Sequence, residues 1–184
     1  MEVQNQEARL QTDAQNAYQA GDFRLAAENY AQAADILRQK GDLLTAAELN
    51  NNQSVALLRA GDAKAAWKAC DGTDLVFGQA GDTHRQALAL GNQAAALEGT
   101  KNWKEAIAKY EQSAMLFEKA GDKELLSLTL QSLSALQLKH HQQFDAMASM
   151  QGSLAAKPKL TAKDNILRRL IRLVFQLIQR VPGG

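Results

Sequence analysis

The dipeptide Gly-Asp stands at residues 21–22, 41–42, 61–62, 81–82 and 121–122, so successive pairs are 20 or 40 residues apart. Glycine closes a helix by entering the left-handed conformation at no steric cost, and aspartate is among the best caps for the helix that follows. The gap in the phase is filled by Lys101-Asn102, another turn-compatible pair. A chain punctuated in this way has room for helices of about 16 to 18 residues and for little else. The spacing predicts four antiparallel helical hairpins, at about 3–40, 41–80, 81–120 and 121–157, with a further segment at 158–184. Only 2 prolines are present, which leaves long uninterrupted helices possible.

Within the hairpins the same phases stay small. In the first helices they are Ala14, Ser54, Ala94 and Ser134, and in the second helices Ala26, Ala66, Ala106 and Ala146. Four residues after each of those alanines come Tyr30, Cys70, Tyr110 and Met150, and three further on Ala33, Thr73, Ser113 and Ser153. These positions share one face of a helix by the 3.6-residue period. Small residues let two helices approach, and the larger residue fills the space toward the next pair. The composition agrees: 46% of the chain is hydrophobic but only 5% aromatic, which suits close helix packing better than a β core.

Two stretches, "AYQAGDFRLAAENYAQAA" and "AALEGTKNWKEAIAKYEQSA", make the chain resemble the tetratricopeptide repeat family over roughly residues 8 to 156. The period of 40 exceeds the usual 34 or so, and the proline that often ends a repeat is replaced by Gly-Asp turns. Longer repeats of this kind look like those of kinesin light chains and spindle-orientation adaptors. HEAT repeats also have periods near 40, but the Ala-x3-Tyr spacing favours the tetratricopeptide class. The resemblance implies an all-α fold, a right-handed α-solenoid of four antiparallel hairpins with a carboxyl-terminal amphipathic helix. Such arrays share a continuous core between stacked copies and bind partners along a concave face. The expected function is a non-enzymatic protein-interaction adaptor holding an extended peptide segment of a partner.

In the longer-repeat relatives, an Asn on the inner face of the first helix contacts the backbone of the bound peptide. The amide offers one acceptor and two donors, so it pairs with a peptide unit whatever its side chain. The resemblance carries that role to Asn52 and Asn92, with Thr12 and Ser132 at the same phase. An alternative places Asn52 in a solvated polar run, Asn50 to Gln53. Neighbouring inner-face candidates are Gln11, Gln15, Tyr18, Asn51, Val55, Leu58, Arg59, Glu98 and Lys139. Only Arg59 and Lys139 are basic among them, too few for a clamp on an acidic carboxyl terminus.

Other chemistry is sparse. His84, His140 and His141 have no cysteine or carboxylate at metal-ligand spacing, so no zinc site is expected. His140 and His141 fall where a hairpin turn belongs. Cys70 occupies a packing position, and "CDGTD" lacks the lysine and glycines of a phosphate loop. Gly72 reads as a weak spot or close contact within a helix, and Trp67 and Trp103 as core residues. No cofactor and no nucleic-acid partner is expected.

The net charge of +1 hides an asymmetry. From Lys157 onward there are seven basic residues and one acidic, giving +6, against 14 basic and 19 acidic residues before it. Thr161 and Asp164 form a capping-box pattern ahead of "NILRRLIRLVFQLIQRV". On a helical projection Arg168, Arg169, Arg172, Gln176, Gln179 and Arg180 take an arc of roughly 120°. Apolar residues, Leu173, Phe175 and Leu177 among them, take roughly 200°, more than one-sided packing needs. Three roles stay open for this helix: a cap on the last hairpin, dimerisation or docking into another chain, and contact with an anionic membrane surface. A polar amino terminus and the lack of a long apolar run make a cytoplasmic location the expectation.

Overall fold

The computed structural model describes residues 6–180, with side chains as far as Gln176. It is all-α, with no strand among the described residues. The helices are α1 (Gln6–Ala20), α2 (Phe23–Gln39), α3 (Leu43–Arg59), α4 (Ala63–Cys70), α5 (Thr73–Gln79), α6 (Thr83–Gly99), α7 (Trp103–Ala120), α8 (Lys123–Lys139), α9 (Gln143–Ala156) and α10 (Ala162–Arg180).

Each Gly-Asp pair closes one helix and opens the next. The five glycines have φ between 72° and 83°, the left-handed region. The following residue donates its backbone N–H five residues back, as from Asp22 to Ala17 and from Asp82 to Phe77, both at 2.9 Å. Its carboxylate then accepts from the backbone three residues ahead, for example from Ala65 to Asp62 at 2.9 Å. One aspartate thereby satisfies orphan carbonyls of one helix and orphan N–H groups of the next. Lys101 and His141 occupy the same left-handed position, with φ of 66° and 62°, and Asn102 and Gln142 make the same backward bonds.

The small-residue phases meet in the hairpin seams. Ala14, Ser54, Ala94 and Ser134 are buried, as are Ala26, Ala66, Ala106 and Ala146. Tyr30, Cys70 and Tyr110 are buried in turn, while Met150 is half-buried. Hydroxyls in the seams reach the opposite helix: Ser113 donates to the Ala87 carbonyl at 2.7 Å, Ser134 to that of Ala146 at 2.7 Å, and the Ser127 and Ser153 hydroxyls lie 3.0 Å apart. Burial pushes the Cys70 thiol above its ordinary range, which suits a packing residue rather than a nucleophile.

The second helix of the second hairpin departs furthest from the 16–18-residue expectation. Gly72 is left-handed, with φ of 75°, and divides it into α4 and α5. It is a break, not merely a weak point within a helix. The interruption strands the Cys70 carbonyl, which accepts from the Thr73 hydroxyl at 2.8 Å and from Gln93 Nε2 at 2.9 Å.

By compactness the chain divides within α7, into Met1–Leu116 and Phe117–Gly184. In the first unit α2 packs on α1 and α3, and α6 packs on α3, α4 and α5. In the second, α8 packs on α9 and α10 packs on α9.

Candidate functional site

A first helix flanked by neighbours keeps only a narrow strip open. In α3 that strip is Glu48, Asn52, Val55 and Arg59, in α6 Leu88, Asn92, Ala95 and Gly99, in α8 Leu128, Ser132, Ala135 and Lys139. In α1 it is Ala8, Thr12, Gln15 and Gln19, all exposed. The spacing i, i+4, i+7, i+11 is one face of a helix. Thr12, Asn52, Asn92 and Ser132 thus occupy equivalent places on accessible strips.

Their chemistry is not equivalent. The Thr12 hydroxyl donates to the Ala8 carbonyl at 3.0 Å, and the Ser132 hydroxyl to that of Leu128 at 3.3 Å. Each hydroxyl has therefore spent its proton on its own helix and can only accept. The half-exposed amides of Asn52 and Asn92 make no hydrogen bond among the described residues. Since α3 and α6 pack together, the two asparagines sit on adjacent helices.

The remaining candidates separate. Gln15 is exposed and Val55 half-exposed on the strips. Arg59 is exposed with its guanidinium 5.1 Å from the Phe23 ring centroid, and Tyr18 packs edge-on against the same ring at 5.2 Å. Leu58 turns toward Ala66 and Cys70 in the hairpin seam, so it does not belong to the open face. Glu98 is half-buried beside the strip rather than on it. Asn51 is buried, its Oδ1 lying 3.1 Å from the Thr73 hydroxyl. The run Asn50–Gln53 is not one solvated face. Asn50 and Gln53 line a recess with Asp35, Arg38 and Lys68, Asn51 faces the seam, and Asn52 alone faces the strip.

Sequence reasoning passed over Glu48 and Leu88, which extend the strips, and the buried group Thr73, Asp74 and Gln93 behind them. Glu48 is paired with Arg85 of α6 at 3.2 Å. The 40-residue phase could have found the first two. The buried group carries no local signal.

Counted from each capping residue, positions +5, +9 and +12 face the hairpin seam: Ala47, Asn51 and Ser54 in α3, Ala87, Gly91 and Ala94 in α6, Ser127, Gln131 and Ser134 in α8. Thr161 caps α10, accepting from the Asp164 N–H at 3.2 Å, while Asp164 Oδ2 accepts from the Thr161 N–H at 2.9 Å. In α10 the seam positions are Ile166, Leu170 and Leu173, and all three are exposed. Instead α10 turns a different, narrow edge inward, with Ile171 buried and Phe175 half-buried. Arg168, Arg169 and Arg172 are exposed, and the Leu177 side chain lies outside the described residues.

Lys157 donates to Asp164 Oδ1 at 2.8 Å across the link between α9 and α10. That bond, with those from Thr161, holds the Asp164 carboxyl at about 2, below its ordinary value of 3.8. A depressed carboxyl stabilises the fold fully above its unfolded pKa, and the contribution disappears as pH falls through the folded value. The anchoring of α10 should therefore weaken between about pH 4 and pH 2. An NMR titration of the Asp164 carboxyl should place its midpoint near 2, moving upward in Lys157→Met. A midpoint unchanged by that substitution would remove the lysine from the account.

The fold and its seams define a helical-repeat protein. A scan of family models gave no match, and neither did a search of curated proteins. Solved structures do match, among them the crystal structure of BtubC (BKLC) from P. vanneervenii. That likeness has a TM-score of 0.58 at 13% identity and covers 97% of this chain and 86% of that one. At this identity it supports the helical-repeat fold and nothing finer. No helix among the described residues is long and apolar enough to cross a membrane.

Proposed function

We propose that the chain is a cytoplasmic, non-enzymatic scaffold of tetratricopeptide type, of the longer 40-residue variety, which grips an extended segment of a partner protein. The observation that carries the reading is the pair of uncommitted amides, Asn52 and Asn92, at one phase of two adjoining helices. Packed helices lie about 8–10 Å apart, and an extended chain rises about 3.3 Å per residue. Two such amides can therefore bond peptide units about three residues apart. Beside the two amides, the strips of α3 and α6 carry Val55, Leu88, Ala95 and Gly99, with Glu48 committed to Arg85 and Arg59 stacked on Phe23. Backbone recognition, with little dependence on charge, is what such a surface offers.

The test is direct. An extended peptide selected for binding from a displayed library should lose about 1–3 kcal/mol of affinity, measured by calorimetry, in Asn52→Ala/Asn92→Ala. Asn50→Ala, on a different face of α3, should bind as the parent does. Equal affinity in the double variant would sink the amide grip. A peptide that competes with neither strip would sink the site altogether.

A further inference from the structure

We propose that α10 is a surface anchor for anionic lipid bilayers. Ile166, Leu170 and Leu173 stand 60%, 55% and 51% exposed, against 6% for Ile171 on the inward edge. With Leu167 and Val174, also exposed, they form a continuous apolar arc of about 120°. Such an arc should be covered by something.

The charges select the occupant. Lys163, Arg168, Arg169 and Arg172 are exposed, and Asp164, the one acidic residue of α10, is already bonded to Lys157. Arg169 borders the apolar arc, and Lys163 stands at its amino-terminal end. A second copy would bring one +6 segment against another, which charge opposes. A tightly packed partner helix fits poorly as well. The hairpin seams elsewhere use small residues at the first and third of these positions, whereas Ile166 and Leu173 would hold a helix away. Hydrocarbon conforms to any side-chain shape, and a basic amphipathic helix lies with its apolar face about 5–10 Å into the headgroup boundary. Anionic headgroups would meet the exposed cations there.

The full chain should cosediment with phosphatidylcholine vesicles containing about a third phosphatidylglycerol, and not with pure phosphatidylcholine. Raising the salt from about 0.1 M to about 0.5 M should weaken the binding at least severalfold. Leu170→Glu/Leu173→Glu, at positions exposed enough to leave the fold intact by circular dichroism, should abolish it. Arg169→Gln/Arg172→Gln should reduce it about tenfold. No cosedimentation with the anionic vesicles overturns the proposal, as does equal binding to both vesicle types. A dimer by light scattering that the leucine variant dissociates, without vesicle binding, would assign the face to a second copy instead.

Discussion

Phe77→Ala is expected to cost about 3–5 kcal/mol, measured by urea unfolding of the full chain. Phe77 is fully buried, packed with Ala47 of α3 and Ala89 of α6, and partly buried Leu44 and Val76 close around it. Its ring also lies under the Arg85 guanidinium at 5.3 Å from the centroid. Two links of the fold meet at that one residue. The helix α5 spans only Thr73–Gln79, far below the length of about 12–15 residues at which a helix becomes even marginal alone, so packing has to hold it. The Phe77 carbonyl in turn accepts from the Asp82 N–H at 2.9 Å, tying α5 to the cap of α6. Phe77→Leu keeps most of the volume and should cost under about 1.5 kcal/mol. Since domains are stable by about 5–15 kcal/mol, the alanine variant should approach unfolding at ambient temperature. A loss under about 1 kcal/mol would mean that α5 is held chiefly by its polar contacts.

The turns were legible because their chemistry is local. A glycine that must be left-handed and an aspartate that must cap sit side by side, and the hydrogen bonds they make span six residues or fewer. Lys101 and His141 carry no glycine signature: the first turn was placed by phase and the turn-compatible Asn102, the second by phase alone. The seams were legible for a related reason: closely approaching helices demand Ala or Ser at a fixed interval, and the interval repeats. The open face was only partly legible. Each residue turns a helix by about 100°, so Asn51 and Leu58 point into the seam although their neighbours Asn52 and Arg59 do not. Helix neighbours on both sides narrow the accessible strip to fewer positions than an isolated amphipathic helix would show. The break at Gly72 could not be read from "CDGTD". A helix tolerates losing a turn there because Gln93 and Thr73 take up the stranded carbonyl, and Gln93 is 23 residues away. The width of the apolar face of α10 was visible in the sequence, but which part of it would be covered depended on tertiary packing.

Gln93→Met is expected to cost about 2–4 kcal/mol although it preserves volume. Gln93 is fully buried, and its Nε2 donates to two acceptors, the Cys70 carbonyl at 2.9 Å and Asp74 Oδ1 at 2.6 Å. Because both partners are acceptors, the orientation of the amide is fixed. The other Asp74 oxygen lies 3.6 Å from the Lys109 ammonium, so the glutamine is the nearer of the two groups holding a buried carboxylate. Removing it leaves that carboxylate half-served, and bonds to charged acceptors are worth about 1.5–3 kcal/mol each. Asp74→Ala should therefore lower the penalty of Gln93→Met, with a coupling of about 1–3 kcal/mol in the double-variant cycle. The cycle separates this polar term from packing, which the methionine leaves nearly unchanged. The consequence reaches the proposed site, since Asn92 precedes Gln93 on α6 and Asn52 follows Asn51, whose amide abuts Thr73 in the same buried group. Loosening the group should let α6 shift against α3 and weaken the grip on a peptide that Gln93 never touches. Calorimetry on folded Gln93→Met should show that loss, and unchanged affinity would confine the network to stability alone.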